Sequence, residues 1–169
     1  MKSLVTILSM ILFLQSCNSV TTYTDKLTDN ERRIIQNNIQ ESIRYIVRVT
    51  EELKIDSVLN YFNNPDFAFI GGDGKYFDFD DYSSMSRQLF ESLKNLKFYR
   101  MKDHIQFLDR DHVVYTWFSK VDFYTNEGKH CIIKNLATTV IFKRIKNKWR
   151  CVFYQESNYA PEILVDHYG

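Results

Sequence analysis

The chain lacks an excess of either charge: 22 Lys and Arg stand against 21 Asp and Glu, for a formal net charge of +1. Nucleic-acid binding needs a basic stripe that displaces counterions from phosphates, so that class is excluded. The short basic run from Lys143 to Lys148 reads as a solvated hairpin end. The four histidines, His104, His112, His130 and His167, stand far apart with no pair at metal-ligand spacing, so no metal and no cofactor is expected. Of the three cysteines, Cys131 and Cys151 fall at opposite ends of the last hairpin. A bridge needs Cα atoms within about 7 Å, so both are expected as free thiols. Gly71-Gly72-Asp73-Gly74 lacks the Lys-Ser/Thr ending of a phosphate loop and reads as a turn.

No long hydrophobic run compensates for these absences. The apolar stretch from Leu4 to Leu14, behind Lys2, is too short to cross a bilayer as a helix and has the size of a secretory h-region. Leu14-Gln15-Ser16-Cys17 follows it and resembles the lipobox of bacterial lipoproteins, which implies acylation of Cys17. Residues 1–17 are therefore read as a signal peptide, 18–27 as a polar tether and 28–169 as one domain. No aspartate follows Cys17. By resemblance to enterobacterial lipoproteins, the expected address is the cell envelope of a bacterium, lipid-anchored on the periplasmic side of the outer membrane.

What is present is aromatic and periodic: 44% of residues are hydrophobic and 15% are aromatic. Thr28-Asp29-Asn30-Glu31 fits a capping box, and Ile35, Ile39, Ile43, Ile46, Val47 and Leu53 then recur at helical spacing. Ile55 to Phe62 reads as a second short helix stopped by Asn63-Asn64-Pro65, and Phe67 to Ile70 as a short buried strand. A third helix is expected over Asp81 to Lys94, capped by Asp78 or Asp80, with Tyr82, Met85, Leu89, Leu93 and Leu96 on its apolar side. Four long strands follow: Leu96–Leu108, His112–Tyr124, Cys131–Ile145 and Arg150–Tyr159. Their short linkers make consecutive strands antiparallel, an α+β domain with helices on one face of a curved sheet. Pairing partners whose numbers sum near 255 set Trp117 opposite Thr138 and Tyr115 opposite Val140, on one face with Val113, Ser119, Val121, Leu136 and Phe142. The other face, with Val114, Thr116, Phe118, Thr139 and Ile141, is also partly apolar. It calls for a second cover, and a second copy of the chain would supply it.

These parts in this order are similar to the SnoaL-like branch of the nuclear transport factor 2-like superfamily. Lys54-Ile55-Asp56 leads into the short helix, Asp66 to Ile70 forms the strand, and Gly72-Asp73-Gly74-Lys75 forms the turn. The terminal strand runs from Asn147-Lys148-Trp149-Arg150-Cys151-Val152 into Gln155-Glu156-Ser157. The resemblance implies a cone-shaped fold, N-terminal helices packed on a strongly curved antiparallel sheet, whose convex face serves as a homodimer surface. It also implies that Val152, Tyr154 and Glu156 point inward and Cys151 and Phe153 outward; a two-residue turn at Lys146-Asn147 reverses that parity. The positions that match the arginine-lined pocket of the calcium/calmodulin-dependent kinase II association domain are Ser119, Val140 and Glu156. None is basic, which argues against an anion pocket.

The expected pocket is therefore Tyr115, Trp117, Ser119, Thr138, Val140, Phe142, Tyr154 and Glu156. A carboxylate at Glu156 among aromatic rings would have a raised pKa, suited to a general acid or base. It could equally sit at a strand end, bonded to a tyrosine or to Arg100 or Arg150, without turnover. Either His104 or Ile105 enters the pocket, depending on the Asp109-Arg110-Asp111 turn. Three functions stay open: an envelope lipoprotein holding a small, largely apolar or aromatic ligand; an isomerase, cyclase or hydrolase using Glu156; and a protein-interaction module using the convex face.

Overall fold

The computed structural model describes residues 27–158 and 161–164. The signal peptide, Cys17 and all of the tether except Leu27 lie outside the described residues. Helix α1 (Asp29–Glu51) begins at the capping box, where the Thr28 hydroxyl accepts from the Glu31 amide and the Glu31 carboxylate accepts from the Thr28 amide. Its buried stripe is Ile35, Ile39, Ile43, Ile46 and Val49. Leu53, expected on that stripe, instead lies beyond the helix in the left-handed region at φ 53°. Helix α2 (Ile55–Phe62) stops before Asn64, whose amide donates to the Cys151 carbonyl at 2.6 Å and ties the loop to the last long strand.

Strand β1 (Ala68–Ile70) pairs antiparallel with β2 (Tyr76–Phe77) across the glycine turn. Helix α3 (Phe79–Ser92) is capped by Asp78, which accepts from the Asp81 amide at 3.0 Å. The helix starts and ends two residues before the expected bounds. Leu93 is already extended and opens β3 (Leu93–Phe107). Strands β4 (His112–Thr125), β5 (His130–Ile145) and β6 (Lys148–Ser157) complete the antiparallel meander. The last strand, β7 (Glu162–Leu164), pairs with the start of β5. The sheet order is β2-β1-β6-β5-β4-β3. The β1–β6 contact is parallel, so the curved, unclosed sheet is mixed where an antiparallel one was expected.

The register of β4 on β5 is the expected one, with Tyr115 opposite Val140 and Trp117 opposite Thr138. Lys146 and Asn147 have φ of 49° and 61°, and Ile145 pairs with Lys148. This is the left-handed two-residue hairpin turn that suits strand twist. It brings Cys151 opposite Phe142, facing inward and 1% exposed, rather than outward. A bulge then inserts Val152 as an extra residue, and parity reverses again, so Tyr154 pairs with Val140 and Glu156 with Thr138 on the inner face. Cys131 and Cys151 are both free and buried.

The helices cover this inner face. Ile39 and Ile43 of α1 join Val113, Tyr115 and Phe142 of the sheet in the core. Replacing Ile39, which is 0% exposed, by alanine is expected to cost about 3 kcal/mol. Ile34→Ala, on the exposed side of the same helix, should stay within about 0.5 kcal/mol. Urea unfolding of both variants checks the assignment; equal losses would contradict it.

Candidate functional site

Between the helices and the sheet lies a cavity of about 350 Å³. Helix α1 contributes Ile43, Ile46, Val47 and Thr50, and α2 contributes Val58, Tyr61 and Phe62. The sheet supplies Trp117, Val121, Leu136, Val140 and Tyr154, and α3 closes a side with Met85, Ser86 and Leu89. Leu89, in the middle of the expected α3 stripe, is half exposed and serves the rim of the cavity and not the core, while Leu93 and Leu96, expected to end that stripe, belong to β3. A shallower groove of about 470 Å³ runs past Lys75, Tyr76 and Gln88 and is open to solvent.

The polar groups of the cavity are few. Glu156 and Asn158, two residues apart on β6 and just past its end, both border it. The Glu156 carboxylate accepts a hydrogen bond from the Tyr154 hydroxyl. Burial pushes the Glu156 carboxyl above its ordinary range, partly opposed by that bond. The Tyr154 phenol is raised further, by burial and by the neighbouring carboxylate. Arg100 does not reach Glu156: it donates to Asp103 and to the Tyr115 hydroxyl, which itself donates to Asp103. Asn158 rests on the glycine turn, where a Cβ on Gly72 would lie 2.2 Å from Asn158 Oδ1. The Gly71–Gly74 segment thus acts as a buttress at the cavity edge. Among the described residues, three buried side-chain atoms have no hydrogen-bond partner: Trp117 Nε1, Ser119 Oγ and Thr138 Oγ1. Trp117 and Thr138 are directly opposite each other, and Glu156 is the next residue across.

Of the eight positions expected to line a pocket, Trp117, Val140, Tyr154 and Glu156 border the cavity. Tyr115, Ser119, Thr138 and Phe142 share the same face but are packed into the core beside it, each at most 1% exposed. Ile105 faces inward opposite Tyr115, and His104 is exposed. His112 lies on Asp109 and His130 on Asp122, at 2.9 Å and 2.7 Å. Sequence reasoning missed the helical wall, Tyr61, Phe62 and Tyr82 above all. Their helical spacing signalled burial, and nothing in that spacing distinguishes a cavity wall from a packed core. It also missed the Arg100–Asp103–Tyr115 cluster, which depends on a bulge at Met101 that sets Arg100 and Asp103 on the same face.

The profile of the SnoaL-like domain family matches residues 39–161. The chain belongs to that family. Solved structures share the fold of this SnoaL-like domain at low identity. The hexachlorocyclohexane dehydrochlorinase LinA-type3 of Novosphingobium barchaimii superposes with a TM-score of 0.70 at 13% identity, over 82% of this chain and 96% of that one. A protein described as a scytalone dehydratase from Novosphingobium aromaticivorans gives 0.72 at 6%, over 82% and 93%. A nuclear transport factor 2-like protein of Pseudomonas putida gives 0.62 at 11%, over 81% and 98%. At these identities the likeness is one of fold. No curated protein sequence matches the chain significantly.

The raised carboxyl has a consequence for stability. Because its folded pKa lies above the ordinary value of 4.5, the folded SnoaL-like domain keeps a proton that the unfolded chain has released. The stability this confers is complete below the ordinary value and is lost as pH rises through the folded pKa. Glu156→Gln should therefore gain on the wild type as pH is raised from about 4 to about 8, read as the difference between urea midpoints. A difference that does not change with pH would show that the carboxyl is not desolvated.

Proposed function

We propose that this SnoaL-like domain binds a small, largely apolar or aromatic molecule in its cone, as a lipid-anchored homodimer on the periplasmic side of a bacterial outer membrane. The supporting observation is the 350 Å³ cavity itself, lined mostly by apolar and aromatic side chains and carrying one carboxyl, one amide and a few hydroxyls. Small-molecule sites are of this size and kind, with few polar groups to fix orientation. The anchor is supported by Leu14-Gln15-Ser16-Cys17. The dimer is supported by the outer sheet face, where Phe118 and Tyr99 stay 42% and 50% exposed.

Native mass spectrometry of the acylated protein released in detergent tests the three elements together. The expected species is a dimer with an acyl increment and a co-purifying small molecule, which is lost in Leu136→Trp because the new indole fills the cavity. If Leu136→Trp folds and retains the same molecule, the ligand lies elsewhere and the cavity reading fails. A monomer without the increment would remove the other two elements, and a monomer would turn attention to the convex face as a site for a protein partner.

A second reading is supported by the Tyr154 hydroxyl that donates to Glu156 inside the cavity. A buried carboxyl of raised pKa beside a phenol suits proton transfer, as in an isomerase, cyclase, hydrolase or lyase. Two structures sharing the fold are described as a dehydrochlorinase and a dehydratase. On this reading Glu156→Gln lowers turnover of the retained molecule by at least about 100-fold while leaving its affinity within a few-fold. Undiminished turnover in that variant would eliminate Glu156 as the acid or base.

A further inference from the structure

The polar equipment of the cavity is of one sign. Among the residues lining it, Glu156 is the single carboxylate, tyrosine hydroxyls are the other ionisable groups, and there is no Lys, Arg or His. The Glu156 carboxylate accepts its hydrogen bond from a neutral phenol, that of Tyr154, and not from a cation. Of the groups able to donate to an anion or a carbonyl oxygen, the aromatic ones are committed or turned away, which leaves the Asn158 amide at the cavity edge. The Tyr154 hydroxyl is bound to Glu156, the Tyr61 hydroxyl is bonded to Ser42 Oγ at 2.8 Å, and Trp117 Nε1 is buried out of reach of solvent.

The wall around Glu156 is a continuous aromatic surface. Tyr154 lies 5.3 Å from Phe62 and 5.2 Å from Phe69, centroid to centroid, and Tyr82 lies 5.4 Å and 5.1 Å from the same two rings. All four border the cavity. Ring faces attract cations, and a desolvated carboxylate does so more strongly. An anion placed here would add a second uncompensated charge to a buried one, which is costly. Asn158, the neutral amide of the wall, can accept from an ammonium N–H.

We propose that the occupant of this cavity is an organic cation, an amine or quaternary ammonium whose apolar body lies along the aromatic wall and whose charged end faces Glu156. The proposal rests on the binding reading above and adds the charge of the ligand.

Phenyltrimethylammonium and tert-butylbenzene have the same shape and differ in charge, so calorimetric titration of the whole protein with each separates the two readings. The cation is expected to bind on the order of tenfold more tightly, and to lose that advantage in Glu156→Gln. Equal affinities in the wild type, or an advantage that survives in Glu156→Gln, overturn the cationic ligand and leave the apolar cavity standing. Failure of both probes to bind overturns the cavity reading and the cation with it.

Should the variant not fold, the wild type alone decides through its pH profile. Affinity for phenyltrimethylammonium is expected to rise between about pH 4 and pH 8 as Glu156 ionises, while that for tert-butylbenzene stays level. The titratable groups around it, the phenols of Tyr61, Tyr82 and Tyr154 and the Cys151 thiol, are all raised by burial and stay neutral over that range. A level profile for the cation overturns the proposal.

Discussion

Side chains on a strand alternate between faces with a period of two, so one inserted residue carries every later side chain to the opposite face of the sheet. In β6 that residue is Val152. The left-handed turn at Lys146-Asn147 sets the hairpin so that Cys151 enters the core, and the bulge then returns Tyr154 and Glu156 to the inner face. Without the bulge the same turn would direct both into the outer face. The parallel pairing of β1 along this edge, with Phe69 beside Tyr154, builds the aromatic wall against the same stretch. The candidate site therefore depends on a local irregularity of the backbone more than on any one side chain.

The second condition is that the helices cover the sheet incompletely. Around Ile39, Val113 and Phe142 the contact is dry, with exposures of 0%. Further along the sheet, Val47, Thr50 and Leu89 stand back from Trp117, Leu136 and Val140, and the space between is the cavity. Large aromatic rings maintain it. Phe62, Phe69, Tyr82 and Tyr154 brace one another at centroid distances of 5.1 to 6.4 Å, which resists collapse into the void.

Two carboxylates on the inner face illustrate how surroundings separate like groups. Asp103 accepts from a guanidinium and a phenol, those of Arg100 and Tyr115. Glu156 receives a phenol only, and the charge it takes on when it ionises is left for something in the cavity to answer. Both rest on tyrosines in the same cross-strand row, Tyr115 and Tyr154 either side of Val140. One cluster is satisfied internally and the other faces the space where a ligand would lie. That difference in partners, and not residue type, makes Glu156 the candidate functional acid.

The sequence by itself determined the three helices, the capping box of the first, the long strands and the register of β4 on β5. These are local or short-range matters: an isoleucine every three or four residues, a threonine three before a glutamate, and a brief linker leave few alternatives. It also placed Glu156 among aromatic residues, through a resemblance of motifs. Tertiary structure alone decided the parallel seat of β1 on β6, the bulge at Val152, the inward Cys151 and the helical half of the cavity wall. Each of these depends on contacts between residues far apart in the chain. A buried tyrosine at helical spacing reads the same whether it meets a packed core or an open space, and only the fit between helices and sheet settles which it meets.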